Sequence, residues 1–176
     1  MQVSVREPAV AGVFYDDQPE RLMHSVDHML ASASSEVPVC PGALIVPHAG
    51  LRYSGPIAAE AYHAILPWAE RIRRVVLLGP SHRVPLQGMA VPKASVFRTP
   101  LGVVPVDQTA CQRLLGTSPA VMAHDLPHRF EHCLEVQLPF LQRVLTDFSV
   151  VPVVVGETPA EEVAAIIQRV WGAAGT

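Results

Sequence analysis

Cysteine is scarce in this 176-residue chain: Cys40, Cys111 and Cys133 are odd in number, far apart, and form no Cys-x-x-Cys pair. That argues against a disulfide framework and for a reducing, cytoplasmic setting. Charge is sparse too, 16% of residues against about 25% in ordinary soluble domains. A formal net charge of -3 offers no basic footprint for nucleic acid or for an acidic membrane surface. No apolar run approaches the ~20 residues of a membrane span, and the first six residues hold no signal-peptide core. A Gly-rich phosphate loop is missing, since Gly50 and Gly55 fit neither nucleotide fingerprint. No Gly-x-Ser-x-Gly elbow surrounds Ser81, which speaks against a serine hydrolase. There is no internal repeat and no low-complexity tract.

What the chain does have is apolar residues, 49% of the total, enough for a substantial core. Its length fits one domain, residues 1–176. Proline is abundant, 17 residues against ~5% on average. Pro47, Pro80, Pro92 and Pro105 fall at strand ends and punctuate turns. The pattern predicts an arm over the first 18 residues, then a helix from Pro19 with Leu22, Val26, Met29, Leu30 and Ala33 as its apolar stripe. Continuous apolar runs predict buried parallel strands at 43–47, 74–79 and 149–155. A helix from Ser54 to about Leu66 separates the first two, with Ser54 as cap. Residues 87–91 and 95–106 are β-like, with a turn at Thr99–Gly102. Asp107 caps a short helix, and 116–130 reads as loop. A helical run over 132–145 is interrupted by Pro139. Thr158-Pro159-Ala160-Glu161 is a capping box that opens a last helix to about Trp171. The expected fold is α/β, a mostly parallel sheet with helices on both faces. The last helix has no successor strand, only Gly172-Ala173-Ala174-Gly175-Thr176, which predicts a domain lacking its C-terminal part.

The chemistry concentrates in histidines. His48 follows the 43–47 run and His82 follows 74–79, so both fall at the carboxyl end of a predicted strand, where open α/β sheets bind ligands. Either histidine alone reads equally well as a turn residue bonded to backbone; the matched pair points to a metal or catalytic site. Glu131-His132-Cys133-Leu134-Glu135 is the next cluster. His132 and Glu135 are three apart and share a face if helical, and His132 is the candidate catalytic acid/base. The carboxylates read equally well as favourable charges at a helix N-terminus. Two strand-end histidines with a carboxylate would match the facial triad of non-haem iron, and zinc with a bound water is chemically open as well. His24 and His28 lie four apart but opposite the apolar stripe and read as solvated. His63, His124 and His128 have no partner pattern. Cys133 reads as a small buried residue.

Six motifs in order cover nearly the whole chain: Ala11–Tyr15, Val46–Gly50, Tyr53-Ser54-Gly55, Leu78–His82, Arg98–Gly102 and Glu131–Phe140. Together they resemble the Memo family, whose bacterial and archaeal members are called AmmeMemoRadiSam system protein B. That family is similar in fold to class III extradiol ring-cleaving dioxygenases. The resemblance implies a metal site, iron or copper, with His48 and His82 in the positions of two ligands. It also implies association with an AMMECR1-type protein and a radical-SAM protein. Two positions depart from the family: Asp16 stands where proline usually follows the Phe-Tyr pair, and Arg83 stands where a second histidine is frequent. Relatives run on to a Ser-Ser-Asp-x-x-His strand end and a later cysteine ligand, neither of which occurs here.

The expected function is therefore a metal-binding, redox-related protein of the AmmeMemoRadiSam system. The alternatives are an extradiol-type dioxygenase acting on a small aromatic, and a non-catalytic module that binds a peptide or protein in the same cleft. An incomplete sheet predicts weak metal affinity and self-association through an exposed apolar edge.

Overall fold

The computed structural model describes residues 3–171. Its elements are β1 (Val5–Arg6), α1 (Pro19–Ser32), α2 (Leu51–His63), β2 (Arg74–Pro80), β3 (Met89–Val91), β4 (Val96–Thr99), β5 (Gly102–Pro105), α3 (Gln108–Leu115), β6 (Val121–Ala123), α4 (Leu126–Arg129), α5 (Leu138–Val144), β7 (Ser149–Val155) and α6 (Ala160–Val170). Short 3-10 turns occupy Leu66–Arg71 and Glu135–Gln137. Residues 172–176, on which the expectation of a missing return strand rested, lie outside the described residues.

The fold is α/β, with parallel pairings in the majority but not throughout, and with two sheets in place of one. Two mixed sheets form, ordered β2-β7-β3-β6 and β1-β4-β5. β2 and β7 pair in parallel over seven residues, and β3 pairs with β6 in parallel. β3 meets β7 antiparallel, at Met89–Val155 and Ala90–Val154. β4 and β5 form an antiparallel hairpin because a two-residue turn leaves no other choice. Each reversal comes from a strand of only three or four residues, too short for an apolar run to reveal its direction.

β7 is the centre of the larger sheet, with Val150, Val151, Val153 and Val154 fully buried. Its proline needs an account, because proline gives no donor to a ladder. Ser149 donates toward Arg73 beside β2, while Val150 accepts from Asp107 on the opposite edge. Backbone direction alternates along a strand, so Pro152 faces that opposite edge as Val150 does. There it falls between the Val106–Val150 bridge and the Ala90–Val154 pair. No neighbouring strand asks it for an N–H.

The predicted strand at 43–47 does not form. Leu44 and Val46 are half-buried while Ile45 is fully exposed. A cavity of about 550 Å³ is lined both by residues 40–46 and by β2. A backbone without a ladder partner is not a strand, whatever its composition. α2 starts at Leu51, earlier than expected, with Gly50 as its cap. Ser54 is not the cap; its hydroxyl donates back to the Ala49 carbonyl at 2.8 Å. The predicted 132–145 helix is a 3-10 turn followed by α5, with Pro139 near the start of α5, where a missing N–H costs nothing. Thr158 does not cap α6 but donates to the Gly88 carbonyl at 2.9 Å. Asp107 caps α3 as expected, accepting from Ala110 at 2.8 Å. The stretch 116–130 holds β6 and α4 rather than loop alone.

The N-terminal arm is stitched to the 135–137 turn by one buried carboxylate. Glu135 is fully buried and pairs with the buried Arg6 guanidinium. It also accepts from the backbone of Ala9 at 2.8 Å and Val10 at 3.1 Å, and from the Tyr15 hydroxyl. Burial and the Glu135 charge hold the Tyr15 phenol protonated well above its ordinary range. Glu135→Ala would strand Arg6 without its counter-charge. A loss of about 3–5 kcal/mol is expected in urea unfolding, the range for breaking a buried pair. A loss under about 1 kcal/mol would show that the pair is not what fastens the arm.

His128, which shows no partner pattern in the sequence, is buried inside this same region. Its Nε2 meets the Ala90 carbonyl at 3.0 Å, while Nδ1 has no hydrogen-bond partner. Burial chiefly lowers its pKa to about 4, and the nearby Arg6 charge works the same way. The folded state thus resists a proton that the unfolded state takes up near pH 6.5. Stability is full above that pH and is lost as pH falls from about 6.5 to about 4, by about 3 kcal/mol. His128→Gln keeps a donor for Ala90 and cannot titrate. Its stability–pH slope in that window should be shallower than that of the parent chain; identical slopes would assign the acid sensitivity elsewhere.

Candidate metal centre

Three loops converge at the carboxyl end of β2. His48 lies just before α2, in a loop held from two sides. Gln137 donates to the Pro47 carbonyl at 3.1 Å and is itself oriented by the Tyr62 hydroxyl at 2.8 Å. Leu51 donates to the Phe14 carbonyl at 2.7 Å, tying the same loop to the N-terminal arm. His82 follows β2, where Ser81 donates to the Val155 carbonyl at 2.9 Å. His132 sits on the turn between α4 and the 3-10 turn.

The ring centroids are 5.2 Å apart for His48–His82, 4.6 Å for His82–His132 and 5.8 Å for His48–His132. Each histidine offers a ring nitrogen within 4.8 Å of those of the other two. The structure thus brings the two sequence-predicted ligands together and adds the predicted acid/base, His132, as a third imidazole. Phe14 closes one side, its ring 4.8 Å from His132. A cleft of about 850 Å³, lined by Val13, Phe14, Val46 and Tyr53, opens beside His48 and His132.

Glu131 is buried directly behind the cluster. Its carboxylate accepts from the His82 backbone at 2.6 Å and from His82 Nδ1 at 2.8 Å. It also accepts from the backbone of His132 at 2.9 Å and of Cys133 at 3.1 Å. Burial alone would raise its pKa, but these donors, His82 foremost, hold it down at about 2. Burial lowers the pKa of His48, the His82 charge adding to it and Glu131 opposing. His132 is lowered by burial as well, against the pull of Glu131. Neutral imidazoles are the form that binds metal.

The donor set fits a metal ion. Three imidazoles suit iron, copper or zinc. His132 Nδ1 is buried without a hydrogen bond, 3.2 Å from Glu131. A second grouping, His82 with Glu131 and Cys133, also falls within ligand spacing. There burial first and Glu131 second push the Cys133 thiol pKa far up, which favours the protonated form. Glu135, grouped with His132 in the sequence, instead turns to Arg6 and Tyr15. His24 and His28 are exposed, as expected. His63 bonds the Ser35 carbonyl at 3.1 Å. The part of Glu131 was not predicted: acidic residues flank His132 on both sides in sequence, and only the fold shows that Glu131 faces His82 while Glu135 turns away.

The profile of the family described as Memo-like protein matches residues 6–172. The chain belongs to the Memo family. It is 41% identical to a MEMO1 family protein of Aquifex aeolicus (strain VF5) over 152 residues, 86% of this chain and 55% of that protein. With a MEMO1 family protein of Thermotoga neapolitana it shares 36% identity over 94% of this chain and 64% of the relative. With one of Aeropyrum pernix it shares 39% over 87% and 58%. The chain thus spans 55–64% of the length of these curated relatives. No helix of the described residues is long and apolar enough to cross a membrane.

In this Memo chain the approach of β2 to the 131–134 turn is set by a glycine. A Cβ on Gly79 would lie 2.4 Å from Cys133 Sγ and 2.9 Å from Leu134 Cδ2. Gly79→Ala is expected to cost about 1–3 kcal/mol, the usual cost of overpacking. Cys133→Ala in the same chain should recover part of that loss in a double-mutant cycle. Strict additivity would mean that the two positions do not press on each other.

Proposed function

We propose that this chain is the metal-binding portion of a Memo-family protein, holding one iron or copper ion on His48, His82 and His132. The observation that supports it is the convergence of three imidazoles, each with a ring nitrogen within 4.8 Å of the others. His82 keeps its other nitrogen on Glu131, the arrangement that orients metal-bound histidines elsewhere. The bound ion would supply one-electron redox chemistry. The protein residues supply neutral nitrogen donors, a carboxylate behind them, and the apolar side chains of Val13, Phe14 and Val46 along the adjoining cleft. His132 is read here as a ligand in place of an acid/base. The setting is the cytoplasm, which fits three free cysteines, and the partners are an AMMECR1-type and a radical-SAM protein.

The extradiol-dioxygenase reading is the weaker one. It needs two histidines and a carboxylate around one iron, and the nearest carboxylate, Glu131, already accepts from four donors of its own loops. The apolar cleft beside the histidines keeps a small aromatic ligand open for test.

Titration calorimetry with Co²⁺, Cu²⁺ and anaerobic Fe²⁺ tests the proposal. One ion per chain is expected, with binding abolished in His48→Ala and His82→Ala. His132→Ala should weaken binding by at least tenfold while leaving the far-ultraviolet circular dichroism unchanged. No binding by the parent chain, or full affinity in His48→Ala, would refute the site.

A further inference from the structure

Glu131 is only 2% exposed, in a cluster whose His82 is open to solvent. A carboxylate at that depth must satisfy its oxygens from the protein. Both are engaged, and three of the four partners are backbone N–H groups, which can only donate. Oε2 takes the His82 backbone N–H, and Oε1 takes His82 Nδ1 and the backbone N–H of His132 and Cys133. An ionised carboxylate can only accept. The ring nitrogen of His82 that faces it therefore carries the proton.

We infer that Glu131 is the positioning residue of the imidazole cluster: it fixes His82 as the Nδ1–H tautomer, leaving Nε2 bare as the ligating nitrogen, and anchors the His132 turn to the same point. The inference deepens the metal-binding reading and rests on it. Free imidazole side chains prefer the proton on Nε2, so without Glu131 His82 would more often present a protonated nitrogen to the ion. One carboxylate also joins two loops 49 residues apart in sequence, so the His82–His132 spacing is set on the protein side before any ion arrives.

The four donors also define the informative substitution. In Glu131→Gln one oxygen becomes an NH₂ group, and in either orientation that group meets an N–H where an acceptor is required. Glu131→Asp keeps the charge and the acceptors on a shorter stem.

The test begins with the metal-free chain carrying ¹⁵N-labelled histidine, read by long-range ¹H–¹⁵N spectra near pH 8, well above the ordinary imidazole pKa of ~6.5. The His82 signals are assigned by their loss in His82→Gln. The expected pattern is a protonated Nδ1 and a bare Nε2. Glu131→Gln should move His82 toward the Nε2–H form and weaken Co²⁺ binding by about 10- to 100-fold, the usual effect of losing such a partner. Glu131→Asp should retain the tautomer and most of the affinity. A purely structural Glu131 would change the melting temperature and leave the tautomer as it was. The inference is overturned if His82 of the parent chain carries its proton on Nε2, or if folded Glu131→Gln keeps both tautomer and affinity. Should Glu131→Gln not fold, the parent spectrum and Glu131→Asp decide. Should the parent chain bind no Co²⁺, the metal reading falls, while the metal-free spectrum still judges the role of Glu131.

Discussion

The short stretch from Glu131 to Glu135 is where the fold is fastened. Its two carboxylates are both buried and face different ways. Glu131 gathers the loop after β2 and the backbone of its own turn. Glu135 gathers Arg6, Tyr15 and the backbone of Ala9 and Val10. Burying either charge alone would be prohibitive, so each is surrounded by donors. The consequence is geometric. The N-terminal arm, the loop after β2 and the turn before α5 are held against one another with little freedom, and the three histidines occupy the place where they meet.

The histidine cluster then follows from ordinary parts. Gly79, next to last in β2, lets the 131–134 turn come close. Gln137, oriented by Tyr62, holds the loop that carries His48. Phe14 arrives on the arm and covers one edge. None of these residues is itself a metal donor, yet each limits where an imbedded donor can stand. The Memo family match, over residues 6–172, takes in the scaffold residues Tyr15, Gly79 and Glu135 as well as the histidines.

His48 and His82 were legible in the sequence because apolar runs followed by a polar turn mark a sheet edge. For His82 that reasoning describes what forms. For His48 it pointed to a residue whose ring does stand 5.2 Å from that of His82, although residues 43–47 are not a strand. His132 stood out because a charged cluster interrupts an apolar stretch. The directions of the two glutamates were not legible. Glu135 meets Arg6 across 129 positions, and no local pattern encodes such a pairing. The antiparallel β3–β7 contact and the short elements β6 and α4 were hidden for another reason: three or four residues are too few to show a period. The break at 135–137 was signalled by Pro139, but its 3-10 form was not.

The Arg6–Glu135 pair has a consequence for how variants of this protein would be classified. A genetic screen that scores only the behaviour of the histidine site would return hits at Arg6 and Tyr15, in a segment that supplies no donor nitrogen. By position these alleles would be filed as terminal and neutral. By phenotype they would group with His132, because the arm they belong to carries Phe14 onto that ring. For this chain, distance along the sequence is a poor guide to which alleles share a complementation profile.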